Sequence, residues 1–122
     1  MRSFKWIAGA LFAGSICAQP LPKAANVLVD GRFVEVAHLT KDEPYCSEVK
    51  ESPDAIRHRF VNFHPVTPPQ MHALYSFVGC GVHGRILYQG KTYHWKFYIT
   101  EEIETDFPDG KTRMLAGKPD PQ

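Results

Sequence analysis

No apolar run in this 122-residue chain reaches the roughly 18–20 residues that a membrane-crossing helix requires. There is no surplus of basic charge either: 14 Lys and Arg stand against 13 Asp and Glu. That balance excludes the electrostatic footprint of a nucleic-acid partner, which depends on a clear excess of cations facing phosphates. The chain holds no G-x-S-x-G nucleophile elbow, no assignable Ser-His-Asp set, no H-E-x-x-H and no EF-hand spacing. Internal repeats and low-complexity blocks are missing too, which excludes solenoid and linker-type architectures. Cysteine is scarce, with three in all.

The N-terminus reads "MRSFKWIAGALFAGSICA". Arg2 and Lys5 form a cationic head, and Trp6 to Ala18 is an uncharged, mostly apolar body. A helix of that length rises about 20 Å, short of a hydrocarbon core of about 30 Å. A basic head, a short apolar body and a small terminal residue predict a cleavable export signal over residues 1–18, cut after Ala18. The signal of a lipoprotein ends immediately before its lipidated cysteine, with Leu three residues ahead of that cysteine and a small residue directly before it. Gly14 and Ile16 occupy those places relative to Cys17, so a lipid anchor is not expected. Loss of Arg2 and Lys5 turns the formal balance from one net positive to one net negative charge. The expected location is periplasmic or secreted.

Cys46 and Cys80 then remain, an even pair in an exported chain, and a disulfide is expected between them. Closing a loop of about 35 residues contributes on the order of 3–4 kcal/mol by restricting the unfolded chain.

Residues 19–25, "QPLPKAA", predict a flexible leader, residues 26–116 a single β-rich domain, and residues 117–122 a frayed tail. "NVLVDGRFVEVAHL" predicts a hairpin turning at Asp30-Gly31. Thr40 and Glu43 have capping-box spacing ahead of a short helix carrying Cys46. Ser52-Pro53-Asp54 starts a helical turn, after which alternation from Arg57 to His64 predicts a strand. "HPVTPPQ" predicts an extended surface connection. Two long β runs then meet at Gln89-Gly90. With that pair as the loop, Ile86 faces Tyr93, Gly84 faces Trp95 and Val82 faces Phe97 on one apolar side. Arg85 faces His94 and His83 faces Lys96 on the other. A bend near Thr100–Glu102, another strand, a turn at Pro108-Asp109-Gly110 and a last strand to about Ala116 complete the chain. The fold class is therefore β-rich α+β: a small antiparallel sheet or half-open barrel with one or two short helices and one disulfide.

"GCGVHG", residues 79–84, matches the G-x-G-x-x-G of phosphate-binding loops. A dinucleotide fingerprint places its glycines between a strand and a helix, whose N-terminus meets the pyrophosphate. Here "RILYQGKTYHW" follows, a strand pattern entering a hairpin. The glycines are accordingly expected to serve packing, with Gly84 making room for the Trp95 indole.

Six histidines, His38, His58, His64, His72, His83 and His94, are the remaining chemical resource. Arg85, His83, His94 and Lys96 are the candidate binding residues. On the predicted register they form a basic face suited to a carboxylate, a phosphate or an acidic loop of another protein. Arg57-His58-Arg59 extends that face if its strand lies alongside. His83 and His94 are diagonal neighbours, but Arg85 and Lys96 between them repel a metal ion, so neither a metal nor another cofactor is expected. Glu101, Glu102, Glu104, Asp106 and Asp109 read as an edge-strand charge run that discourages aggregation. The functional expectation is a binding protein, not an enzyme, that recognises an envelope or secreted protein or an anionic ligand. Inhibitors and immunity-type proteins share this size and build. The alternative is a metal-handling protein or enzyme that uses the histidines. The intact mass of the exported protein is expected to start at Gln19 and to lack two hydrogens; a lipidated or uncleaved mass overturns the processing expectation.

Overall fold

A computed structural model describes residues 21–35, 44–74 and 78–118. The Ala18–Gln19 cut, Cys17, the Thr40–Glu43 capping box, His38 and the last four residues of the expected tail lie outside them, as does the His72 side chain. Among the described residues six strands form one antiparallel sheet: β1 (Asn26–Val34), β2 (His64–Val66), β3 (Cys80–Tyr88), β4 (Lys91–Tyr98), β5 (Glu102–Thr105) and β6 (Arg113–Ala116). Their order across the sheet is β1-β3-β4-β5-β6-β2. It is an open antiparallel sheet, the first of the two expected shapes. The helical segments are α1 (Pro44–Ser47), α2 (Pro53–Asn62) and α3 (Pro68–Leu74).

The centre of the sheet is the β3–β4 hairpin, and its register is the expected one. Gly84 pairs with Trp95, Ile86 with Tyr93, Val82 with Phe97, Arg85 with His94 and His83 with Lys96. Gln89 and Gly90 turn with φ of 51° and 76°, the double positive φ of a turn whose twist matches two adjoining strands. A three-residue connection then leads into β5, with Glu101 in the left-handed region at φ 72°. Arg59 Nη1 donates to both Glu101 carboxylate oxygens at 2.7 and 2.8 Å, holding that turn against α2.

One face of the sheet is apolar and carries α2. Ile56 and Phe60 of α2 are buried against Val27, Val82, Ile86, Trp95, Phe97, Ile103 and Leu115 in one core. The helix starts where the sequence suggests: the Ser52 hydroxyl accepts from Ala55 N at 3.1 Å and Pro53 occupies the first turn. It does not give way to a strand at Arg57. Ile56, Phe60 and Phe63, spaced four and three apart, place their side chains on one helical face, and that burial outweighs the weaker alternation. The Cys46–Cys80 disulfide is formed, with Cα atoms 5.9 Å apart, and ties α1 to the start of β3. Arg32 also reaches the Ser47 carbonyl from β1.

Three local expectations are corrected. Asp30-Gly31 is not a hairpin turn; β1 runs straight through it, with a register shift between Val29 and Gly31 against β3. The same two residue types serve a bulge, where the extra residue is accommodated without reversing the chain. "HPVTPPQ" is not an extended connection throughout. His64–Val66 is the edge strand β2, and Thr67 opens α3. Gln70 N donates to Thr67 Oγ1 at 3.4 Å while Thr67 N donates to Gln70 Oε1 at 2.8 Å. That reciprocal box accommodates Pro68 and Pro69 in a first turn, where a missing N–H is no loss. Finally, Leu21 to Ala25 is docked and not a free leader. Leu21 and Ala25 are buried, and Arg57 donates to the Pro22 carbonyl at 3.0 Å and to that of Ala25.

The glycine question is settled by distance. A Cβ on Gly84 would meet the Leu28 carbonyl oxygen at 1.8 Å and Trp95 Cζ2 at 2.5 Å; one on Gly81 would meet the Phe97 carbonyl oxygen at 1.8 Å. Gly79 to Gly84 leads along a strand and not into a helix, so no phosphate-binding helix N-terminus is present there. Because β1 and β4 both press on Gly84, Gly84→Ala is expected to destabilise the domain by about 3 kcal/mol or more, measured by chemical denaturation. A loss below about 0.5 kcal/mol would mean that the strands part easily at that point.

Candidate functional site

The face of the sheet away from α2 carries the side chains that alternate with the core. The strand register brings Arg85, His83, His94 and Lys96 together there, as the alternation predicts. Three of them, His83, His94 and Lys96, border a cleft of about 260 Å³ whose other walls include Glu104, Asp106 and Thr112. Arg85 stands beside the cleft on the same face and does not line it.

The face is not simply basic. Arg85 donates from Nε and Nη2 to the two oxygens of Asp30, each at 2.9 Å. The fork-to-fork geometry is that of a strong guanidinium–carboxylate pair. Asp30 reaches Arg85 from the bulge of β1, so the bulge is what supplies this acid. The Arg85 guanidinium holds the Asp30 carboxyl below the ordinary aspartate range, and Asp30 in turn raises the Arg85 pKa. Lys96 pairs with Glu35, just past the end of β1, and its ammonium lies 5.5 Å from the centroid of the Phe33 ring. His94 Nδ1 lies 3.7 Å from Asp106 Oδ2, while Asp106 Oδ1 accepts from the His94 backbone N–H at 2.8 Å. His94 is the most open member of the group, with 69% of its side chain exposed. His83 sits edge-on to Phe33, ring centroids 6.3 Å apart.

Tyr98 closes one end of this face. Its hydroxyl lies 3.1 Å from Glu35 Oε1 and 3.1 Å from Glu104 Oε1, and its ring meets Phe33 edge-on at 5.2 Å. Burial raises the Tyr98 pKa well above that of an ordinary phenol, with the Glu104 and Glu35 carboxylates adding to the effect. Beside it Glu102 is fully buried and accepts from the Thr100 hydroxyl at 2.6 Å.

The run of acids from Glu101 to Asp109 is corrected in two respects. It does not lie on an edge, because β5 is flanked by β4 and β6. Nor does it gather at one point. Glu101 meets Arg59, Glu102 turns inward, Glu104 and Asp106 border the cleft, and Asp109 accepts from Lys111 N and Arg113. The Arg57-His58-Arg59 extension of the basic face does not form. Those residues belong to α2 on the opposite side, where Arg59 bridges Glu51 and Glu101 above the Phe97 ring.

Among the described residues, no three or more His, Cys, Asp or Glu side chains gather to hold a metal ion. No described helix is long and apolar enough to cross a membrane. Comparison of the chain with protein-family models, curated proteins and solved structures finds no match.

The Asp30–Arg85 pair gives a pH test. A carboxyl whose folded-state pKa is depressed contributes stability above its unfolded pKa, and that contribution disappears as pH falls through the folded value. Followed by carboxyl-carbon NMR, Asp30 is expected to titrate below the usual aspartate value of about 3.9. In Arg85→Gln it is expected to return to that value. An Asp30 titration unchanged by Arg85→Gln would show that the pair does not persist in solution.

Proposed function

We propose that this is an exported binding protein that receives another envelope or secreted protein on the open face of its sheet. The observation that carries the reading is the division of labour between the two faces. α2 and the disulfide-linked α1 serve one face, while the other displays a charged cleft around His83, His94 and Lys96. A face organised by paired charges favours register and partner choice more than raw affinity, which suits recognition of one protein surface. A free small anion is less well served, since Arg85 and Lys96 each already hold a carboxylate. The formed disulfide supports an oxidising compartment, in keeping with the export signal read from residues 1–18.

The experiment is a blocked-cleft capture from the native envelope and secreted fractions. A bulky maleimide is attached to Thr112→Cys at the cleft, and in a second sample to Val61→Cys on α2. Val61 is 48% exposed and lies on the helix bearing the opposite face. Loss of the captured protein with the Thr112 label and its retention with the Val61 label is expected. The reverse pattern would move the receiving surface to the helix side, and equal capture by both would take it off these two faces.

A further inference from the structure

We infer that the group received in the cleft is a basic side chain, arginine or lysine, of the partner protein; this rests on the open face being the receiving surface. The charges on that face are unevenly distributed. Among the described residues, its two strong cations are satisfied by acids that do not border the cleft: Arg85 by Asp30 and Lys96 by Glu35. Of the two carboxylates that do border it, Glu104 shares the single Tyr98 hydroxyl proton with Glu35, and Asp106 accepts from the His94 backbone N–H with its other oxygen 3.7 Å from His94 Nδ1. Among the described residues, and leaving the two histidines aside, four carboxylates on this side (Asp30, Glu35, Glu104 and Asp106) stand with two cations (Arg85 and Lys96). The excess is negative and it is concentrated at the cleft.

Spacing fits the same occupant. Glu104 and Asp106 are two residues apart on one side of an extended chain, about 7 Å along the strand. A guanidinium presents N–H groups on more than one side, and a carboxylate accepts them in pairs. Thr112 at the rim adds a hydroxyl able to accept a further hydrogen bond. An acidic partner group would meet the opposite situation, with Glu104 and Asp106 repelling it and neither Arg85 nor Lys96 free of its own carboxylate. The anionic ligand expected from the four basic residues alone is therefore replaced by a cationic one.

The test uses amidated hexa-arginine and, separately, hexaglutamate, each titrated into the ¹⁵N-labelled protein. Hexa-arginine is expected to give saturable, salt-weakened shifts at the amides of Lys96, Glu104, Thr105 and Asp106. Glu104→Gln with Asp106→Asn keeps acceptors for Tyr98 and for the His94 N–H, and is expected to weaken binding about tenfold or more; Lys96→Gln is not. Shifts produced by hexaglutamate instead, shifts insensitive to the double substitution, or no shifts with hexa-arginine would each overturn the inference. The blocked-cleft capture reads the receiving face independently. If capture is lost with the Thr112 label while hexa-arginine misses the cleft, the open face stands and the basic occupant falls.

Discussion

At Gly84 three strands come closer than a side chain permits. The Leu28 carbonyl of β1 and the Trp95 ring of β4 both occupy the space where a Cβ would sit. The Trp95 indole fills the core beneath, and its Nε1 donates to the Arg85 carbonyl at 3.2 Å. Shifting β3 by one residue against its two neighbours would put a side chain where Gly84 meets the Leu28 carbonyl and the Trp95 ring, and would send every neighbour to the wrong side of the sheet. The approach thus locks the register of the central hairpin, and the register assigns each side chain to the helix-covered face or to the open one. β1 has to bulge at Asp30 to follow β3 past this point, and that bulge delivers the partner of Arg85.

The helix-covered face gains most of the stabilising burial, and its boundary is set by cross-links of different kinds. The disulfide joins α1 to β3, Arg59 spans from α2 to the turn before β5, and Arg57 holds the chain at Pro22 and Ala25. Exposed ion pairs contribute little each, typically below about 1 kcal/mol. Arginine to backbone carbonyl contacts act chiefly by fixing geometry, since they satisfy acceptors that would otherwise need water. A small domain has limited apolar area to bury, so a single covalent tie of 34 residues' span carries disproportionate weight here.

The elements legible in the sequence were those with one dominant local signal. Gln89-Gly90 between two long alternating runs predicted the hairpin register to the residue, and Cys46 with Cys80 predicted the staple. Where two local signals competed, tertiary context decided. Asp30-Gly31 suits both a turn and a bulge, and the neighbouring β3 selects the bulge. Alternation after Arg57 suits a strand, but burial of Ile56, Phe60 and Phe63 selects the helix. The four basic residues were found on one face, and their neutralising acids were missed. Yet Ile103 and Phe107 are buried, and period-two alternation between them puts Glu104 and Asp106 on the other side. Asp30 and Glu35 were not legible in that way, because their positions depend on the bulge and on how β1 ends.

That omission changes what the face is chemically. Four basic residues on an otherwise neutral sheet would attract any anion and would lose that attraction in salt within a Debye length of about 8–10 Å. A lattice in which Arg85 and Lys96 are each tied to a carboxylate behaves differently, because an approaching charge must compete with a partner already in place. Like-charge juxtaposition then penalises most arrivals, and the favourable approach is restricted to the stretch where carboxylates outnumber cations. On the proposed reading, selectivity comes from those repulsive positions as much as from the attraction in the cleft. The fixed pairs also hold their side chains in advance, so binding orders fewer of them at the moment of contact. On the same proposed reading the bulge at Asp30 serves recognition as well as folding: remove its acid, and Arg85 is released to make the face the general anion collector that the sequence alone suggests.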